Sequence, residues 1–187
     1  EATAPGLWGE PNSLSIAGIS GPDIIGYIFQ TWASPPSGKK FHAQILTPFA
    51  VARLMSEFTL GLDAERQIHD RLKQALCHPD NILGQAVLLA GLTLPDDQPE
   101  AVRDYFFNRV IPTALPFYTQ PLSVNDPTVG TGILLIAGAS ILPAYACHYG
   151  LVQFSGQDID PVMACATSIN TMVYGLNSFS LKLEVAV

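Results

Sequence analysis

The chain has little of the chemistry that announces a function most directly. It carries 3 cysteines and 4 histidines. Cys77, Cys147 and Cys165 form no close-spaced pair, and no two histidines stand at ligand spacing. Neither a disulfide framework nor a metal site is therefore legible, and the odd thiol count suits free cysteines in a reducing cytoplasm. His42 and His148 read as surface or packing residues. Charge is also scarce: charged residues make up 13%, and 9 Lys and Arg against 16 Asp and Glu leave a net charge of −7. Gripping nucleic acid needs clustered Lys and Arg. The one adjacent basic pair, Lys39-Lys40, reads as solvated, so this surface is not itself a strong nucleic-acid grip. No apolar run is long enough to span a bilayer, because Ser140 and Pro143 interrupt Gly132 to Cys147, short of the about 18 residues required. Glu1 to Asn12 lacks the basic start and apolar core of a secretory signal.

What is present is an apolar chain, 48% hydrophobic, with a composition that shifts along its length. Residues 1–22 are rich in Gly, Pro and Ser and read as an irregular arm. Residues 23–120 read as a mainly helical region. Ile24, Ile25, Tyr27, Ile28 and Phe29 suggest an apolar helix, which Ser34-Pro35-Pro36-Ser37-Gly38 ends. Thr47-Pro48 predicts a second helix, with Thr47 as N-cap and Pro48 in the first helical position. Val51, Leu54, Met55 and Phe58 recur at helical spacing, which predicts that their face packs inward. Helical patterns follow over Ala64 to Leu76, Ile82 to Leu92 and Pro99 to Val110. Asp63, Glu65, Asp70, Asp96, Asp97 and Glu100 read as solvated faces and caps, with no spacing that compels metal or acid–base work.

Residues 121–187 change rhythm. A strand is expected near Leu122 to Asn125, a helix from Thr131, a strand near Val152 to Gln157, a helix from Pro161 and a last strand from Leu181 to Val187. Strands alternating with helices predict an α/β fold, with about three parallel strands side by side. Asp126-Pro127-Thr128-Val129-Gly130-Thr131-Gly132 lies where the first strand ends, and open α/β sheets bind ligands at strand ends. Gly130 and Gly132 would leave the backbone approachable, and the next helix would offer unpaired N–H groups. Gly156-Gln157-Asp158-Ile159-Asp160-Pro161 ends the second strand. Asp158 is expected to accept ribose hydroxyls there, and Asp160 to cap the next helix. The separation of Asp158 from Gly132 slightly exceeds the roughly 20 residues usual for such a pair.

These stretches, with Ala166 to Asn170 and Gly175, resemble the S-adenosylmethionine-binding half of N6-adenine DNA methyltransferases, the modification enzymes of restriction systems and their phage and plasmid relatives. The likeness extends upstream to Asp23-Ile-Ile-Gly-Tyr-Ile-Phe29 and Ala43-Gln44-Ile45-Leu46-Thr47-Pro48. The resemblance implies part of a Rossmann-like class I methyltransferase sheet, with S-adenosyl-L-methionine as cofactor. It implies that Asp126, Pro127, Thr128, Gly130 and Gly132 face the methionine portion and Asp158 the ribose. Ile159 would form an apolar wall for the adenine ring, and Thr47 and Pro48 would close the other side. Ile45 and Leu46 stand where the family usually has aromatic residues, so aromatic packing on the cofactor is not expected at that turn.

The family's catalytic signature is Asp or Asn, Pro, Pro, then Tyr or Phe, on a fourth strand, where it holds a flipped adenine. No Asn-Pro-Pro or Asp-Pro-Pro occurs in the chain, so no catalytic residue is assigned. The resemblance therefore implies the cofactor side of a cytoplasmic enzyme that methylates the exocyclic amine of adenine, with the signature beyond Val187. DNA would be reached through other regions or chains, with a homo-oligomer or partner subunit left open. Two alternatives remain: a non-catalytic scaffold that keeps the fold, or a methyltransferase for a non-DNA substrate. The upstream Thr-Pro block argues against the last.

Overall fold

Left-handed glycines, prolines and buried apolar faces set where the elements begin and end. A computed structural model describes residues 23–26, 28, 47–95, 97–174, 176 and 181–185. The arm at 1–22, the Ser34 to Gly38 break, Lys39-Lys40, Ala43 to Leu46, Tyr27, Phe29, Asp96 and Gly175 lie outside the described residues. The chain divides into two units, one of residues up to Asp63 and from Ser123 onward, the other Ala64–Leu122. The residues up to Asp63 thus group with the strands rather than with the helical region that follows.

The first unit holds α1 (Phe49–Thr59), the first residues of α2 (Gly61–Leu76), and β1 (Leu122–Asp126), whose Leu122 belongs to the second unit. It continues through α6 (Ile133–Ser140), α7 (Ala144–His148), β2 (Val152–Asp158), α8 (Pro161–Val173) and β3 (Leu181–Val185). The three strands form one sheet in the order β1-β2-β3. β2 and β3 run parallel, with Phe154 opposite Leu181 and Asp158 opposite Val185. This is an α/β arrangement dominated by helices. β2 alternates between fully and partly buried positions, and Val152 and Phe154 are completely buried with Leu151 beside them. Each such side chain contributes roughly 1.5–3 kcal/mol relative to exposure.

The expected boundaries hold for β1, β2 and α8 to within a residue or two. Two helix starts differ. Gly132 has φ +85, a left-handed conformation that no right-handed helix contains, so α6 begins at Ile133 and not at Thr131. Pro48 has ψ 140, and its carbonyl accepts from Val51 and Ala52 N–H, each at 3.0 Å. Pro48 is therefore the N-cap of α1, and Thr47 precedes it rather than capping the helix.

The packing of α1 is reversed from expectation. Ala52 and Ser56 are buried, whereas Val51, Leu54, Met55 and Phe58 are exposed, Phe58 at 84%. α1 meets α6 through Phe49 and Ala52 against Ile133, Leu134 and Ala137. A Cβ on Gly138 would come within 3.4 Å of Leu60. Phe49 and Ala52 thus form the packed side of α1, and the stripe of Val51, Leu54, Met55 and Phe58 faces outward.

The second unit is helical: most of α2, then α3 (Ile82–Gly91), α4 (Pro99–Tyr105), a π-helical turn (Phe106–Val110), α5 (Ile111–Ala114) and a 3-10 turn (Leu115–Phe117). The expected single helix from Pro99 to Val110 thus widens at Phe106. Ile111 N–H bonds back to the Phe106 carbonyl. Pro112 has no N–H and would clash with the carbonyl four residues back, at Asn108, which lies inside the widened turn. Ile68, Leu72, Leu76, Ile111 and Ala114 are buried. Asn81 caps α3, accepting Gly84 N–H at 2.9 Å and donating to the Ala75 and Thr113 carbonyls at 2.9 and 3.0 Å. Cys77, Cys147 and Cys165 are free thiols. Among the described residues, no helix is long and apolar enough to cross a membrane.

Candidate functional site

β1 ends on Asp126, and the chain turns back through Thr128 to Gly132 before α6 begins. One Asp126 oxygen, Oδ1, accepts Thr128 N–H at 3.0 Å, a local turn that short acidic side chains favour. The other, Oδ2, is buried and has no partner. Burial raises the Asp126 carboxyl above its usual range; the Thr128 amide opposes this, and the Asp158 charge adds to it. The strand ends of β1 and β2 therefore present their carboxylates to one another.

Asp158 clamps the turn. Its Oδ2 accepts Gly130 N–H at 2.8 Å, and its Oδ1 accepts Asp160 N–H at 2.9 Å. Asp160 in turn accepts Val162 N–H at 2.9 Å and caps α8, as expected. Both Asp158 oxygens thus hold backbone, and only their remaining lone pairs are open to a ligand. Ile159, next in sequence, is 82% exposed.

The two glycines do different work. Gly130 has φ +54, and a Cβ there would point into open space. At Gly132 the added Cβ would meet Thr167 Cγ2 at 2.8 Å. The direction freed at Gly130 is open to an approaching molecule. At Gly132 the protein itself fills it, so only Gly130 leaves space beside its backbone.

A second layer of polar side chains supports the turn. Thr167 donates its hydroxyl to the Gly130 carbonyl at 2.7 Å, and Asn170 Nδ2 donates to the Thr131 carbonyl at 2.9 Å. Thr131 donates its hydroxyl to Asp23 Oδ2 at 2.8 Å, and Asn170 Nδ2 donates to Asp23 Oδ1 at 2.9 Å. Asp23 also accepts Gly26 N–H at 2.7 Å. Burial raises the Asp23 carboxyl, with these three bonds opposing it. Burial and the Asp23 charge together push Tyr174 up to about 12.

No family model, curated protein or solved structure matches this chain. The site therefore stands on its own geometry.

Of the nine residues expected to bind, the structure gathers Asp126, Pro127, Thr128, Gly130, Gly132, Asp158 and Ile159 around two strand ends. Thr47 and Pro48 enter α1, whose Phe49 packs on the cluster containing Ile133, the first residue after the turn. Thr131, Thr167, Asn170 and Asp23 were not expected as site residues. A signal for part of this exists: Thr167, Asn170 and Thr171 occupy inward positions of α8, beside Met163 and Ala166. A polar residue on a buried helix face must find a partner. Among the described residues, no three side chains are grouped to hold a metal.

Proposed function

We propose that the chain is the S-adenosylmethionine-binding portion of a DNA adenine-N6 methyltransferase, built on a Rossmann-like class I methyltransferase sheet. The observation that carries this reading is the buried, partnerless Oδ2 of Asp126 at the end of β1, in a chain whose following turn leaves the Cβ direction of Gly130 open. An acceptor buried without a donor is costly. The ammonium of an amino acid such as the methionine moiety would supply that donor and oppose the repulsion from Asp158. The first-turn N–H groups of α6 suit the carboxylate of the same moiety. The remaining lone pairs of Asp158 suit ribose hydroxyls, and the exposed Ile159 suits the face of adenine. Pro127, Thr128 and Gly132 shape the turn, and Thr47 with Pro48 would close the other side.

The cofactor would supply an electrophilic methyl group; the residues of this chain orient it and hold its charged ends. Recognition of a flipped adenine is assigned to no residue of this chain, which has no Asn-Pro-Pro or Asp-Pro-Pro. With a net charge of −7, DNA contact is assigned to other regions or chains.

One observation favours the second reading, a non-catalytic scaffold: both Asp158 oxygens already bind backbone amides. Calorimetric titration with S-adenosylhomocysteine separates the two. Saturable binding that Asp126→Asn weakens at least about tenfold, roughly 1.4 kcal/mol, with an unchanged circular dichroism spectrum, supports the cofactor role. A folded wild-type chain that binds nothing would remove it and leave the scaffold.

A further inference from the structure

The Ala64–Leu122 unit carries a recess of about 220 Å³ that methyl-donor binding leaves unused. One wall is the end of α2 and the turn after it, with Arg71, Gln74 and His78; the other is the segment from Phe117 to Gln120. Arg71 is fixed in place, because Nη1 donates to the Gln120 carbonyl at 2.8 Å. A guanidinium has five N–H donors in a rigid fork, so this bond leaves others for a ligand. The Arg71 charge is felt at Tyr118, where it opposes the upward push of burial on the phenol.

The rest of the lining holds no Lys, Asp or Glu and no second Arg. The His78 ring stacks on Phe117 with centroids 5.1 Å apart and planes at 30°. Its Nδ1 accepts Asp80 N–H at 3.3 Å, which puts the proton of the neutral ring on Nε2. No carboxylate lines the recess. Asp80 stands behind His78, with Oδ2 3.8 Å from Nδ1 and a side chain 84% exposed. In a chain of net charge −7, a concave site that pairs one fixed cation with hydroxyl, amide and imidazole donors and excludes acids is a local inversion of the surface.

We propose that this recess binds the oxyanion of a small ligand, a carboxylate or a phosphate, whose ring or apolar body rests against the Phe117–His78 stack. Arginine matches both anions with two parallel bonds. The volume is below the roughly 300–1,000 Å³ of pockets for drug-sized ligands, which points to one anionic group on a body of about one ring. The site lies wholly within the helical unit and does not depend on the methyl-donor reading.

The test is NMR titration of the full chain with benzoate, inorganic phosphate and benzylamine, followed at the Arg71 side-chain N–H and the Thr119 and Gln120 amides. The expected result is saturable shifts with benzoate, weaker ones with phosphate and none with benzylamine. Arg71→Gln should weaken benzoate at least about tenfold, and Arg71→Lys, which keeps the charge but loses the fork, should fall between. If Arg71→Gln unfolds, Arg71→Lys and the amine control still decide. The proposal is overturned if benzoate and phosphate leave these resonances unmoved at millimolar concentration, if benzylamine shifts them equally, or if Arg71→Lys binds as wild type does.

Discussion

The two units handle buried polarity in opposite ways. In the helical unit, Asn81 is the buried polar residue among those described. It ties a helix start to two carbonyls. In the strand-bearing unit, Ser56, Asp126, Thr131, Asp158, Thr167, Asn170 and Thr171 are all buried, and most of them surround one turn. The difference follows from the backbone. Helices pair their own N–H and C=O groups except at the ends, so a helical unit needs side chains only there. A turn with left-handed glycines has no repeating pattern, so its amides and carbonyls must be met by side chains brought from elsewhere. A buried turn of this kind is costly to build. Two buried acceptors in this unit are left without a donor, Asp126 Oδ2 at the strand end and Asn170 Oδ1 beneath the turn.

The sharpest way to break this contrast is to remove the side-chain amide from each unit. Asn170→Ala should destabilise the protein by about 3 kcal/mol, since it strips donors from the Thr131 carbonyl and from a buried carboxylate. Asn81→Ala should cost about 2 kcal/mol through loss of a cap and two carbonyl partners. Urea unfolding of both variants measures the order; a larger loss at Asn81 would end the contrast.

The turn itself gives a smaller comparison. Gly130→Ala meets only the left-handed backbone and should cost about 1 kcal/mol. Gly132→Ala adds contact with Thr167 and should cost about 2 kcal/mol. Thr167→Ser keeps the hydroxyl while removing the methyl, so it should recover part of the Gly132→Ala loss and none of the Gly130→Ala loss in thermal unfolding.

The smallest effect is in pH dependence. Asp126 has a folded value raised above its ordinary 3.8, so the native state binds a proton more readily than the unfolded chain. Its contribution is full below that ordinary value and is lost as pH rises through the raised one. Asp126→Asn lacks this loss, so its stability relative to wild type should increase from acid to neutral pH. Urea midpoints across that range check the sign, and a constant difference would show that Asp126 is not strained by burial. The same variant is expected to weaken S-adenosylhomocysteine binding, which would set ligand binding against stability at one side chain.

The alternation of helix and strand over 121–187, the strand ends at Asp126 and Asp158, and the cap at Asp160 were all legible, because hydrophobic period, glycine and proline act over a few residues. The inward face of α1 was not. Helical spacing locates a stripe of large apolar residues at Val51, Leu54, Met55 and Phe58. It does not reveal that Ile133, Leu134 and Ala137 of α6 meet the opposite side of α1, through Phe49 and Ala52. The π turn at Phe106 was hidden for a related reason: one widened turn leaves the apolar pattern nearly intact.

Local chemistry was enough to place a glycine turn after a strand and a carboxylate at each strand end. It could not say which carboxylate keeps an oxygen open. Asp158 spends both oxygens on amides that the fold carries to it, and Asp126 retains one only because no donor arrives there. The support beneath the turn joins Thr131 to Asp23 across 108 positions and Asn170 to Asp23 across 147. Contacts at such separations are made by packing, and no short-range pattern in the chain encodes them.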